Sequence, residues 1–107
     1  MRDSKLYLDD IRGAIKKIEK YTGKISLTSL KKNELVIDAV VRNLTVIGEA
    51  VKHLPVEIKN KYRDVEWKKV AGLRDILVHE YFGVDIEVLW NIIQEEIPRL
   101  RRQLKKR

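Results

Sequence analysis

The chain has 107 residues, with 23 Lys or Arg, 16 Asp or Glu and no cysteine, for a formal charge of +7. That length sets the expectation of a single domain over 1–107, and the absence of cysteine excludes a disulfide framework and thiolate metal sites. No apolar run reaches transmembrane length and no signal-peptide core opens the chain, so a cytoplasmic protein is expected, while the positive excess points to a polyanionic partner, RNA first.

In chain order, Asp3 to about Thr22 read as the first helix, because Leu8, Ile11, Ile15 and Ile18 recur with the helical period. Asp9 and Asp10 precede Lys16, Lys17 and Lys20, the order that the helix dipole favours, and Gly23 stands where a C-terminal cap belongs. Tyr7 and Tyr21 are expected at the edge of the core. Ile25 to Ser29 form a linker. Leu30, Ile37, Leu44 and Val51 then repeat every seven residues, with Val40, Ile47 and Leu54 each three residues after one of them, so a seam runs from Leu30 to Leu54 with Asn33 as its polar exception. Val36, Val41 and Val46 lie off that seam and give the helix apolar surface on more than one side.

Pro55 opens a short helix to about Tyr62, Arg63 to Glu66 turn the chain, and Asp64 is the candidate N-cap of the next helix. That helix is expected to carry Val70, Leu73 and Leu77 on one stripe, to be anchored by Trp67, and to end at Gly83. Asp85 caps the last helix, whose apolar residues Ile86, Trp90, Ile93, Ile97, Leu100 and Leu104 are spaced by threes and fours, and Pro98 should bend it. The closing segment from Arg99 to Arg107 is strongly basic and suits either phosphate contacts or the negative end of a helix. Four long helices and one short one make an all-α, up-and-down four-helix bundle, and the surplus of apolar faces suits a two-fold homodimer.

The chemistry concentrates in Leu73-Arg74-Asp75-Ile76-Leu77-Val78-His79-Glu80-Tyr81-Phe82. Arginine is a permanent cation with a forked donor face suited to phosphate, histidine moves protons near neutrality, and tyrosine offers a hydroxyl that bonds, stacks or is modified. Together they suit phosphodiester cleavage without a metal. On an ideal helix Arg74 and His79 lie about 140° apart, so they do not converge. Either the helix ends or bends near His79, or a second copy completes the site across a two-fold axis. Asp75, four residues before His79, is placed to orient it. Upstream, Arg42 and Glu49 share a face of the seam helix, Asn43 lies beside Arg42, and Gly48 removes a side chain where another backbone approaches. His53 is read as a capping or surface group. The competing reading of both blocks is structural: helix-end capping for Arg74 and His79, and a solvated face for Arg42, Asn43 and Glu49.

Arg74-Asp75-x-x-x-His79-x-Tyr81, its approach Val65 to Leu73, and Arg42-Asn43-x-x-x-Ile47-Gly48-Glu49-Ala50 resemble the HepT-like proteins of the HEPN superfamily, small helical ribonucleases, over about Tyr7 to Leu100. The resemblance implies a HEPN-like fold and a homodimeric, metal-independent endoribonuclease with no cofactor. It implies the toxin of a type VII toxin–antitoxin pair, with Arg74 and His79 catalytic in a cleft at the dimer interface. Its partner would be an MNT-type minimal nucleotidyltransferase antitoxin, which silences the toxin by transferring AMP to Tyr81. The block at Arg42, Asn43 and Glu49 would support the RNA cleft. The alternative is a non-catalytic helical subunit that binds or presents substrate for a nucleotidyltransferase.

Overall fold

The computed structural model describes residues 3–79 and 83–105, apart from the side chains of Val78 and His79. Helix α1 spans Ser4–Thr22, and Asp3 caps it by accepting from the Lys5 amide. It turns Leu8, Ile11, Ile15 and Ile18 into the core. Gly23 follows as the C-terminal residue, with right-handed backbone.

The segment read as a linker contains a short helix, α2, Leu27–Lys31, opened by Ser26. The seam helix, α3, therefore begins later than its heptads suggest, at Glu34, and runs to Lys52. Asn33 is not a polar member of a buried seam. It is the N-cap, and its Oδ1 accepts from the Val36 amide at 3.1 Å. Leu30 still reaches the core, from α2. The heptad pattern thus crosses a helix boundary, because burial and not helix continuity sets it.

Helix α4 is Val56–Lys61, and α5 is Trp67–Ala71. Glu66, not Asp64, precedes α5 as its N-cap residue. The Trp67 indole packs against the core and donates to the Lys59 carbonyl at 3.2 Å, tying α5 back to α4. The helix expected to carry the motif stops at Gly72, and a single 3-10 turn, Asp75–Leu77, follows. The only strands among the described residues come next. Strand β1, Val78–His79, pairs antiparallel with β2, Gly83–Val84, aligning Val78 with Val84 and His79 with Gly83. No strand was expected from the sequence. Gly83 carries a φ of +79°, which an L-residue adopts only with strain.

Asp85 caps α6, Ile86–Asn91, through the Val88 amide at 3.1 Å. One π turn, Ile92–Glu96, joins α6 to α7, Ile97–Gln103. There the Ile97 amide bonds the Ile92 carbonyl, five residues back. The π turn abuts Pro98, whose missing N–H would leave a regular ladder incomplete.

The all-α class holds. Helices α1 and α3 form the largest pairing, and the rod from α6 to α7 packs on α1, α2 and the 3-10 turn. The fourth position of the bundle is filled by the short pieces α4, α5 and the 3-10 turn. Core side chains from every long element join one cluster, including Leu44, Ile47, Leu77, Leu89, Ile97 and Leu104.

Candidate active site

Leu73-Arg74-Asp75-Ile76-Leu77 explains its own shape. Leu73 and Leu77 are buried at 2% and 0% exposure, while Arg74, Asp75 and Ile76 between them face outward. Gly72 ends α5, and its carbonyl receives the Asp75 and Ile76 amides at 3.0 and 3.4 Å. The Leu77 amide closes on the Arg74 carbonyl at 3.4 Å. Two leucine anchors thus hold a tight turn whose polar crest projects from the surface.

From behind, the turn is set by Gly48. A Cβ at Gly48 would lie 2.8 Å from the Ala71 carbonyl oxygen, so the two backbones touch where α3 crosses the end of α5. The glycine admits the close approach anticipated for it, with Ala71 as the partner and Gly72 one residue beyond. Arg74 begins three residues past that contact. Further support comes from Lys69, whose ammonium lies 2.6 Å from Glu96 on the π turn. Arg99 reaches the same carboxylate at 3.0 Å. Glu96 is largely shielded and ties α5 to the last helical rod.

Arg74 is half-exposed, and its guanidinium lies 3.8 Å from the exposed carboxylate of Asp75. Such a solvated neighbour pair is weak and leaves the fork accessible to an anion. His79 follows with its backbone in β1, paired to Gly83. Its side chain, and with it the proposed contact to Asp75, lies outside the described residues, as does Tyr81. The helix-end geometry that kept Arg74 and His79 apart on a wheel does not apply, since a turn and an extended pair separate them.

Arg42 and Glu49 occupy a different place. They line an open groove of about 520 Å³ between α1 and α3, together with Tyr7, Asp10 and His53. Neither Arg74 nor Asp75 lines it. Arg42 has no ion-pair partner among the described residues, whereas Glu49 pairs with Lys52 at 3.3 Å. Asn43 is buried, and its amide donates to the Ala39 carbonyl at 2.8 Å, a bond within its own helix. It also lines a second groove between α1 and α3, beside Arg42. His53 follows α3 as its C-terminal residue, exposed, and its ring stacks on Tyr7 with centroids 4.8 Å apart and planes 13° from parallel. Nothing local in the sequence marks that pair, because its members lie on different helices. No three His, Cys, Asp or Glu side chains among the described residues gather as a metal-binding group.

A family profile described as Ribonuclease HepT-like matches residues 11–107. The chain is 40% identical over 105 residues to the "Probable ribonuclease HepT" of Thermococcus cleftensis, covering 98% of this chain and 96% of that one. It is 48% identical over 88 residues to a "Putative RNase" of Caldanaerobacter subterraneus subsp. tengcongensis, covering 82% and 78%. It is 39% identical over 105 residues to a longer protein of Methanocaldococcus jannaschii named "Gamma-glutamylcyclotransferase and putative RNase". That match takes in 98% of this chain and 47% of the relative, so the chain spans about half the length of that protein. No solved structure matches the chain significantly.

Proposed function

Because this chain belongs to the HepT-like ribonuclease family, and so is an enzyme of the ribonuclease class, we propose that it cleaves RNA internally by attack of the 2′-hydroxyl. The observation that carries this reading is the Arg74 turn, an accessible guanidinium fork, a shape suited to phosphate, on a base fixed by buried Leu73 and Leu77. Arg74 binds the non-bridging oxygens of the scissile phosphate and offsets the charge that grows there. His79 takes the proton from the 2′-OH or returns one to the leaving 5′-oxygen. The 2′-oxygen bonds to phosphorus, the bond to the 5′-oxygen breaks, and the products are a 2′,3′-cyclic phosphate and a 5′-hydroxyl.

One histidine per chain supplies either the base or the acid. A homodimer supplies both, with Arg74 and His79 of the two copies facing one cleft and Asp75, Arg42, Asn43 and Glu49 supporting it. In a type VII toxin–antitoxin pair, an MNT-type nucleotidyltransferase would silence this chain in the cytoplasm. The Tyr81 oxygen would displace pyrophosphate from ATP and take on AMP, blocking the site with bulk and negative charge.

The test is intact mass together with RNA cleavage, for protein made alone and with its nucleotidyltransferase. Wild type alone cuts RNA, while His79→Ala falls by about 10²–10⁴-fold with its thermal midpoint unchanged. Co-expression adds the mass of AMP, and Tyr81→Phe abolishes the addition. A folded protein that cuts no RNA and gains no mass would move the assignment to a non-catalytic subunit.

A further inference from the structure

We infer that a second RNA-binding surface lies on the opposite flank of α1, where cations on two sides border a shallow valley between α1 and α7. The inference rests on the ribonuclease reading for the identity of the anion. The valley, of about 500 Å³, is lined by Arg12, Lys16, Arg101 and Lys105, with Asp9 as the single acidic group. Buried Ile15 and Leu104 form its floor.

The two borders are built differently. Arg12 and Lys16 are four residues apart on α1 and stack along one helix face with a rise of about 6 Å. Arg101 stands on α7, whereas Lys105 lies two residues past its end, in the bend that follows Leu104, and lines the same valley. Arg12 fixes the borders side by side. Its Nη2 and Nε donate to the Leu104 carbonyl at 2.9 and 3.2 Å, and Nη2 also reaches the Tyr62 hydroxyl at 3.1 Å. That guanidinium is spent on structure, and Asp9 lies 4.0 Å from its other nitrogen. Lys16 and Lys105 are exposed and have no ion-pair partner among the described residues. Arg101 holds Glu19 at 3.0 Å in a half-exposed pair that a phosphate can displace.

Two free ammoniums and one exchangeable guanidinium along the borders of one valley match a flexible chain of phosphates. A narrow apolar floor lets sugars pass without leaving buried polar groups unpaired. The same helix, α1, has its other flank on the Arg42 groove, so a long RNA engaged here would wrap the helix, and the surface adds affinity for long substrates.

The experiment is fluorescence anisotropy with a labelled single-stranded RNA carrying 2′-O-methyl groups throughout, which the proposed chemistry cannot cut. The full chain is titrated over a salt series as wild type, as Lys16→Gln with Lys105→Gln, and as a control with Lys24→Gln and Lys31→Gln. The control changes net charge equally at exposed positions elsewhere. The first pair is expected to weaken binding at least tenfold at low salt. It should also reduce the steepness of log K against log salt by about 1.4, the value for two lost phosphate contacts. The control pair should change neither comparably. Equal losses in both pairs, or no RNA binding at all, would overturn the inference. Retained RNA binding with loss of a labelled polyglutamate peptide in the first pair would also overturn it, since the surface would then serve an acidic protein. Binding is read without cleavage, so an inactive protein that shows the expected salt behaviour refutes the catalytic reading alone.

Discussion

At Gly48 and Arg74 single atoms decide the outcome, and in opposite senses. Replacing Gly48 with alanine should help an isolated helix by about 1 kcal/mol. Here the new Cβ would stand 2.8 Å from the Ala71 carbonyl, a backbone atom with little freedom to retreat. Crowding of this kind costs about 1–3 kcal/mol. Gly48→Ala is therefore expected to lower the midpoint of urea denaturation despite the better helix former. The displaced α5 should also reduce cleavage, since Arg74 follows three residues later. At Arg74 the proposed phosphate contact asks for more than charge. Arg74→Lys keeps the cation and loses the fork, so kcat/KM for RNA should fall by about 10²-fold with the fold unchanged. The glycine was legible in the sequence, as a missing side chain in a helix where another backbone approaches. The Tyr7–His53 stack was not, because contact between α1 and α3 creates it and no local spacing encodes it.

The periodicity of single elements recovered which residues are buried better than where helices stop. Leu73 and Leu77 were placed on a buried stripe and are buried, yet the helix expected to carry them ends at Gly72. A spacing of four satisfies a 3-10 turn anchored at both ends as well as it satisfies a helix. The same ambiguity assigned Leu30 and Asn33 to α3. Asp85 was legible as a cap because capping depends on one side chain and an amide three residues on. The tie between α1 and the end of α7 was illegible, since Arg12 and Leu104 are 92 residues apart. That tie should matter. Removing Arg12 leaves the Leu104 carbonyl without these donors at a part-buried site, which costs about 1–3 kcal/mol. Arg12→Ala is expected to lower the thermal midpoint measurably. Arg12→Lys should recover only part of the loss, because an ammonium cannot reproduce three bonds from one planar group.

For the whole molecule, the decisive question is whether one chain or two make the site. A chain with one motif histidine can supply only one of the two proton transfers that 2′-OH attack requires, unless water supplies the other. If two copies share a cleft, Arg74→Ala and His79→Ala chains are each defective in homodimers. A mixed dimer still brings one intact arginine and one intact histidine into the same cleft, where water is left to make the second proton transfer. Unfolding the two variants together and refolding them should randomise pairing and make about half of the dimers mixed. RNA cleavage is then expected to rise well above that of either variant refolded alone, and dilution below the dimer dissociation constant should remove the gain. If Arg74 and His79 act only within their own chain, mixed dimers contain no complete pair, and the mixture stays as inactive as its parents. That result would retain the Arg74 turn as the phosphate site while confining catalysis to one subunit. The same mixture checked by sedimentation separates this case from a failure to pair, because inactive mixtures that sediment as dimers have paired and still cannot cut.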